Sequence, residues 1–115
     1  MKSQVEYIND IAVIRFAGEL TIHNAHKVRA LIEGEIIKGY RKIIIELELV
    51  TYMDSTALGM LVAIYKTIRN DNQKLFIAGV NENLRRLLTL TRLNTFFVVY
   101  DTCQEAIEKF ISSEV

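Results

Sequence analysis

Lys42-Ile43-Ile44-Ile45-Glu46-Leu47 is followed, past Asp54, by Leu58, Leu61, Val62, Tyr65 and Ile68, and then by Lys74-Leu75-Phe76-Ile77-Ala78. The first run is rich in β-branched residues and does not alternate, the pattern of a central strand covered on both faces. The second set recurs at the three-and-four spacing of a helix with one buried stripe, running through Arg69. The third is again a strand, closed by Gly79. Strand, helix and strand between residues 42 and 79 make a crossover unit, which requires parallel strands joined by a right-handed connection.

Upstream, Val5–Ile8 and Ile11–Phe16 read as two strands joined at Asn9-Asp10, with Gly18 ending the second. Asn24 to about Ile37 reads as a helix through Val28, Leu31, Ile32 and Glu35/Ile36, with Gly39 as its stop signal. Downstream, Leu84, Leu87, Leu88 and Thr91 mark a further helix, and residues 96–100 a short last strand. Thr102-Cys103-Gln104-Glu105 has the form of a capping box before a helix that carries Ala106, Ile107 and Phe110. The order β-β-α-β-α-β-α-β-α predicts an α/β fold. It consists of a mixed, mostly parallel β-sheet of about five strands with about four helices packed on it. No proline, linker, repeat or low-complexity tract divides the chain, so residues 1–115 are expected to form a single domain.

Half of the residues are apolar and 24% are charged, enough to bury a core. Fourteen basic residues balance fourteen acidic ones. Direct nucleic-acid binding, which draws on a basic excess, is therefore not expected. The longest apolar run, Met60 to Tyr65, is far too short for a membrane span, so no membrane insertion is expected. The first sixteen residues alternate apolar with polar and lack the apolar core of a signal peptide. One cysteine, Cys103, forms no internal disulfide and suits a reducing, cytoplasmic setting.

The stretch from Leu47 to Leu61 is where function is expected. It leaves a buried strand and enters a helix through Met53-Asp54-Ser55-Thr56. In open α/β sheets, functional groups gather beyond the carboxyl ends of the strands. Asp, Ser and Thr are also favoured helix caps, so one of them needs no function to explain it. Three in a row exceed what one cap requires. Within the helix, Met60 and Ala63 lie away from the Leu58/Leu61/Tyr65 face at about 100° per residue, and Gly59 lies beside them. Two readings stand for Met60 and Ala63: packing against a neighbouring segment, or a contact surface beside Ser55, with Gly59 permitting close approach.

Tyr52-Met53-Asp54-Ser55-Thr56-Ala57-Leu58-Gly59-Met60-Leu61 resembles the central motif of STAS domains, specifically of bacterial anti-sigma factor antagonists. The similarity runs along nearly the whole chain. Phe16-Ala17-Gly18-Glu19-Leu20 is similar to the family's Gly-Glu-Leu-Asp segment, and Ile43–Leu47 to its apolar strand ending in an acid and a leucine. The resemblance implies the STAS fold. It also implies that Ser55 is phosphorylated by a partner anti-sigma factor that is itself a serine kinase. Unphosphorylated, the chain would bind that partner and release the sigma factor; phosphorylation would end the binding. Glu19, Thr21, Asp54, Ser55, Thr56, Gly59, Met60 and Ala63 are the expected partner-binding residues. Two positions depart from the pattern: Thr21 stands where the family often has Asp, and Ala57 replaces the motif's usual Gly. The latter is expected to reduce close approach. Other family roles, in sensory assemblies or as subunits of lipid transporters, remain the alternative, and Thr56 is a second possible acceptor.

An enzyme is not expected. Ser55 lacks a Gly-x-Ser-x-Gly elbow, and His23 and His26 lie in a distant segment. Spaced by three, those histidines make only a weak metal signal without neighbouring Cys or carboxylates. A phosphate-receiver domain needs paired acids after its first strand, where this chain has a hairpin. There is no phosphate-binding Gly-x-x-x-x-Gly-Lys-Ser/Thr loop. Arg85, Arg86 and Arg92 have two readings, a local phosphate site or solvated helix charges, of which the second is preferred. No catalytic residue, metal or cofactor is expected, and the sequence leaves the oligomeric state open.

Overall fold

A computed structural model describes residues 1–68 and 73–112. Arg69, expected at the end of the second helix, lies outside the described residues. In chain order the elements are β1 (Lys2–Ile8), β2 (Ile11–Leu20), α1 (Ala25–Ile37), β3 (Lys42–Met53) and α2 (Ser55–Ile68). They continue with β4 (Lys74–Ala78), α3 (Glu82–Leu90), β5 (Val98–Tyr100) and α4 (Cys103–Ser112). The strands form one sheet in the order β1-β2-β3-β4-β5. β1 pairs antiparallel with β2, and the other three pairings are parallel. The expected mixed sheet carrying four helices is thus the observed architecture.

The Ile43-Ile44-Ile45 run fails to alternate because both of its faces are covered. Ile43 and Ile45 join Ile14, Leu75 and Ile77 beneath residues of α1, α2 and α3. Ile44 joins Val13, Phe76 and Ala78 on the other face, where Ala106, Ile107 and Phe110 of α4 cover them. Phe110 stacks on Phe76 with ring centroids 4.0 Å apart. The Thr102 hydroxyl accepts from the Glu105 amide at 3.1 Å, so the cap read from sequence starts α4. α1 buries Glu35, whose carboxylate accepts from the Tyr7 hydroxyl (2.7 and 2.9 Å) and from the Lys38 ammonium at 3.1 Å.

Several boundaries differ from expectation. β1 begins at Lys2 rather than Val5, and β2 does not stop at Gly18 but runs through it to Leu20, because Gly18, Glu19 and Leu20 pair with the end of β3. The last strand is only Val98–Tyr100, because Phe96 and Phe97 turn inward to pack on Tyr65. β3 runs to Met53 rather than stopping at Leu47. Its β4 partner ends at Ala78 opposite Glu46, so over its last seven residues β3 is paired with β2 alone, through Leu49, Val50, Tyr52 and Met53. That two-stranded extension carries the Asp54-Ser55 turn beyond the rest of the sheet. Register shifts at Arg15/Ala17 and Gly18/Glu19 bend it, the second beside Gly18 at φ +98°.

Candidate functional site

The site grows from the junction of β3 with α2. Asp54, not Ser55, caps the helix: its Oδ1 accepts from the Ala57 amide at 2.9 Å, and its carbonyl accepts from Leu58. Its Oδ2 reaches across to the β2–α1 loop and accepts from the Ile22 amide at 2.9 Å, while the Asp54 amide donates to the Leu20 carbonyl at 3.1 Å. One carboxylate therefore starts a helix and ties two loops together. The Ala57 and Ile22 amides hold that carboxyl below its ordinary range, with His23 contributing in the same direction.

Because Asp54 supplies the cap, Ser55 is released from that duty. It is the first residue of α2 and exposed, and among the described residues nothing is bonded to its hydroxyl. Thr56 follows, also exposed. The β2–α1 loop is braced by Asn24, whose side chain accepts from the Thr21 amide at 3.0 Å and donates to the Glu19 carbonyl at 2.9 Å. Thr21 accepts from the His23 amide at 3.2 Å, so the hydroxyl at this departing position keeps the local turn. Glu19 is exposed and lies opposite Tyr52 in the β2–β3 ladder. Ile22 is 62% exposed and Tyr52 53%, so apolar surface flanks the acid-serine turn.

Of the residues singled out from sequence, Glu19, Thr21, Asp54, Ser55 and Thr56 come together at this end of the sheet, with Gly59 exposed one turn along α2. Met60 does not belong to the surface. It is 7% exposed and lies in the main core, which corrects the contact-surface reading in favour of packing. Ala63 is half-buried. Ala57 is fully buried, so the departure from glycine there meets the protein's own interior rather than the surface. Ile22 and Tyr52 were missed by sequence reasoning. Neither has a periodic signal, and only their exposure beside the turn identifies them.

His23 and His26 are both exposed, and the described residues contain no group of three or more His, Cys, Asp or Glu placed to hold a metal. No helix among them is long and apolar enough to cross a membrane.

Comparison with known proteins agrees with this geometry. The STAS domain family profile matches residues 2–106. The anti-sigma-B factor antagonist of Staphylococcus aureus is 32% identical over 80 residues, 70% of this chain and 74% of that protein. A Thermotoga maritima structure assigned as an anti-sigma factor antagonist superposes with a TM-score of 0.87 at 33% identity. It covers 93% of this chain and 92% of its own. The Bacillus cell-fate determinant SpoIIAA in its phosphorylated form shares the fold, with a TM-score of 0.74 at 24% identity over 95% of this chain and 99% of its own. With the sheet order, the capped acid-serine turn and these relatives together, the chain belongs to the STAS-domain family, alongside the bacterial anti-sigma factor antagonists.

Proposed function

We propose that this protein is an anti-sigma factor antagonist switched at Ser55. In its unphosphorylated state the surface made by Glu19, Thr21, Asp54, Ser55, Thr56 and Gly59, extended by Ile22 and Tyr52, binds an anti-sigma factor in the cytoplasm and frees the sigma factor. The partner, a serine kinase, transfers the terminal phosphoryl group of a nucleoside triphosphate to the Ser55 hydroxyl, with the nucleoside diphosphate and the hydroxyl proton leaving, and the complex is lost. The observation that carries this reading is an exposed, unbonded hydroxyl at the first position of a helix whose cap is supplied by the residue before it.

The energetics favour an effect on the complex rather than on the fold. A phosphate adds about −1.5 to −2 charges. The helix N-terminus favours that charge by roughly 0.3–1 kcal/mol, and the Asp54 carboxylate next door opposes it. These contributions are small and partly cancel. Against a partner the same dianion must be desolvated in a close interface or meet like charge, and that cost is far larger.

The test is a pull-down from the source cell with Ser55→Ala as bait, paired with affinity measurements for Ser55→Ala and Ser55→Asp. An anti-sigma kinase retained by the alanine variant and lost by the aspartate variant supports the switch. Equal affinities for the two refute it, and capture of a transporter permease instead moves the protein to a lipid-transport role. Thermal melts of the free and phosphorylated chain are expected to agree within several degrees; a larger loss of stability counts against the mechanism.

A further inference from the structure

β1 forms one edge of the sheet over seven residues, and no strand among the described residues covers its outer side. A two-residue hairpin closes on a hydrogen-bonded pair, here Ile8 and Ile11. Alternation then turns the backbone groups of Ile8, Glu6, Gln4 and Lys2 toward β2, and those of Ser3, Val5 and Tyr7 outward. Three residues' worth of donors and acceptors thus stand along a free edge.

Edge strands are often blunted by charge, and β1 carries Lys2 and Glu6. Their spacing, however, fits a partner of one kind. In a two-fold antiparallel pairing of β1 with itself, outward-pointing residues must face outward-pointing residues. The register with Gln4 on the axis satisfies this, placing Ser3 opposite Val5 of the second copy. The same register sets Lys2 opposite Glu6 of the second copy, twice over by symmetry. Neighbouring registers lack this match: centring on Lys2 or Glu6 puts like charges face to face, centring on Val5 sets Lys2 opposite Ile8 and Glu6 opposite Gln4, and centring on Ser3 sets Lys2 opposite Gln4 and gives Glu6 no partner. Lys2 is exposed and has no ion-pair partner among the described residues. Glu6 is held by Arg15 at 2.6 Å yet keeps 48% of its side chain exposed, so it can take a second cation. These side chains share the face of Val13, and α4, the helix on that face, packs over β3, β4 and β5 and leaves the β1 end open.

We propose that two copies of this chain associate edge to edge through β1, giving a continuous ten-stranded sheet with Gln4 on the two-fold axis and Lys2–Glu6 ion pairs on either side. Cross-strand opposite charges stabilise such a ladder and like charges oppose it.

Sedimentation equilibrium across micromolar to millimolar protein, on the full chain, tests this with Lys2→Glu, Glu6→Lys and the double exchange. Far-UV circular dichroism and melting confirm that each variant is folded. The wild type and the double exchange are expected to dimerise, with each single reversal weakening association by about tenfold or more. Amide exchange should show protection at Ser3, Val5 and Tyr7 that rises with concentration in the wild type. A wild type that stays monomeric throughout, single reversals that dimerise as well as the wild type, or protection appearing elsewhere than β1 would each overturn the proposal.

Discussion

Met60→Ala separates a buried methionine from a surface one, and the two roles predict opposite results. Met60 sits on α2 with 7% of its surface exposed, within the cluster that also contains Leu61, Ile64 and Leu58. Truncation removes the Cγ, Sδ and Cε atoms from that cluster. Buried methionine-to-alanine changes cost about 2–5 kcal/mol, and the flexible neighbours of a thioether allow some collapse, so about 2–3 kcal/mol is expected here. For a domain of this size that lowers Tm by roughly 8–12 °C. In urea it moves the midpoint down by about 1–2 M with an unchanged slope. Partner affinity, measured on the folded fraction by calorimetry well below Tm, should stay within about twofold of wild type. A stability change within about 0.5 kcal/mol combined with a large loss of binding would place Met60 at the interface and refute the packing argument.

Gly59→Ala should act in the other direction. Its backbone is ordinary helix, it is exposed, and a Cβ there would meet nothing within 4 Å, so stability should rise by roughly 0.5–1 kcal/mol in a urea titration while partner binding weakens. Asp54 has a lowered pKa, so its contribution to stability is present above the unfolded value near 3.8 and is lost as pH falls through the lower folded value. In an NMR titration the Ile22 and Ala57 amide shifts should hold steady down to about pH 4 and move only below it; movement near pH 5 or above would contradict the double hydrogen bond. Burial pushes the Cys103 thiol up to about 11, so at pH 8 it should react with iodoacetamide much more slowly than a free cysteine, and unfolding in urea should restore the rate.

The local alphabet of the fold was legible without coordinates. The Ile43-Ile44-Ile45 run, the helical spacing after Asp54, the Thr102 cap and the glycine stops at Gly39 and Gly79 all act through near neighbours, and each appears in the structure close to where the sequence puts it; Gly18 does not, since β2 runs through it to Leu20. The acid-serine turn was legible for the same reason, since capping residues announce themselves within one helical turn. Burial around α2 was not. That helix lies among the three helices on one face of the sheet, so its buried set of Ala57, Leu58, Met60, Leu61, Ile64 and Ile68 is wider than a single stripe. A periodicity argument sees one face because it knows nothing of flanking helices. Whether Asp54 or Ser55 would serve as the cap was likewise beyond the sequence. In the structure Asp54 also accepts, on its second carboxylate oxygen, from the amide of Ile22, thirty-two positions away. Hydrogen-bond partners this far apart in the chain are set by how β2 and β3 lie side by side, and only the folded sheet determines that.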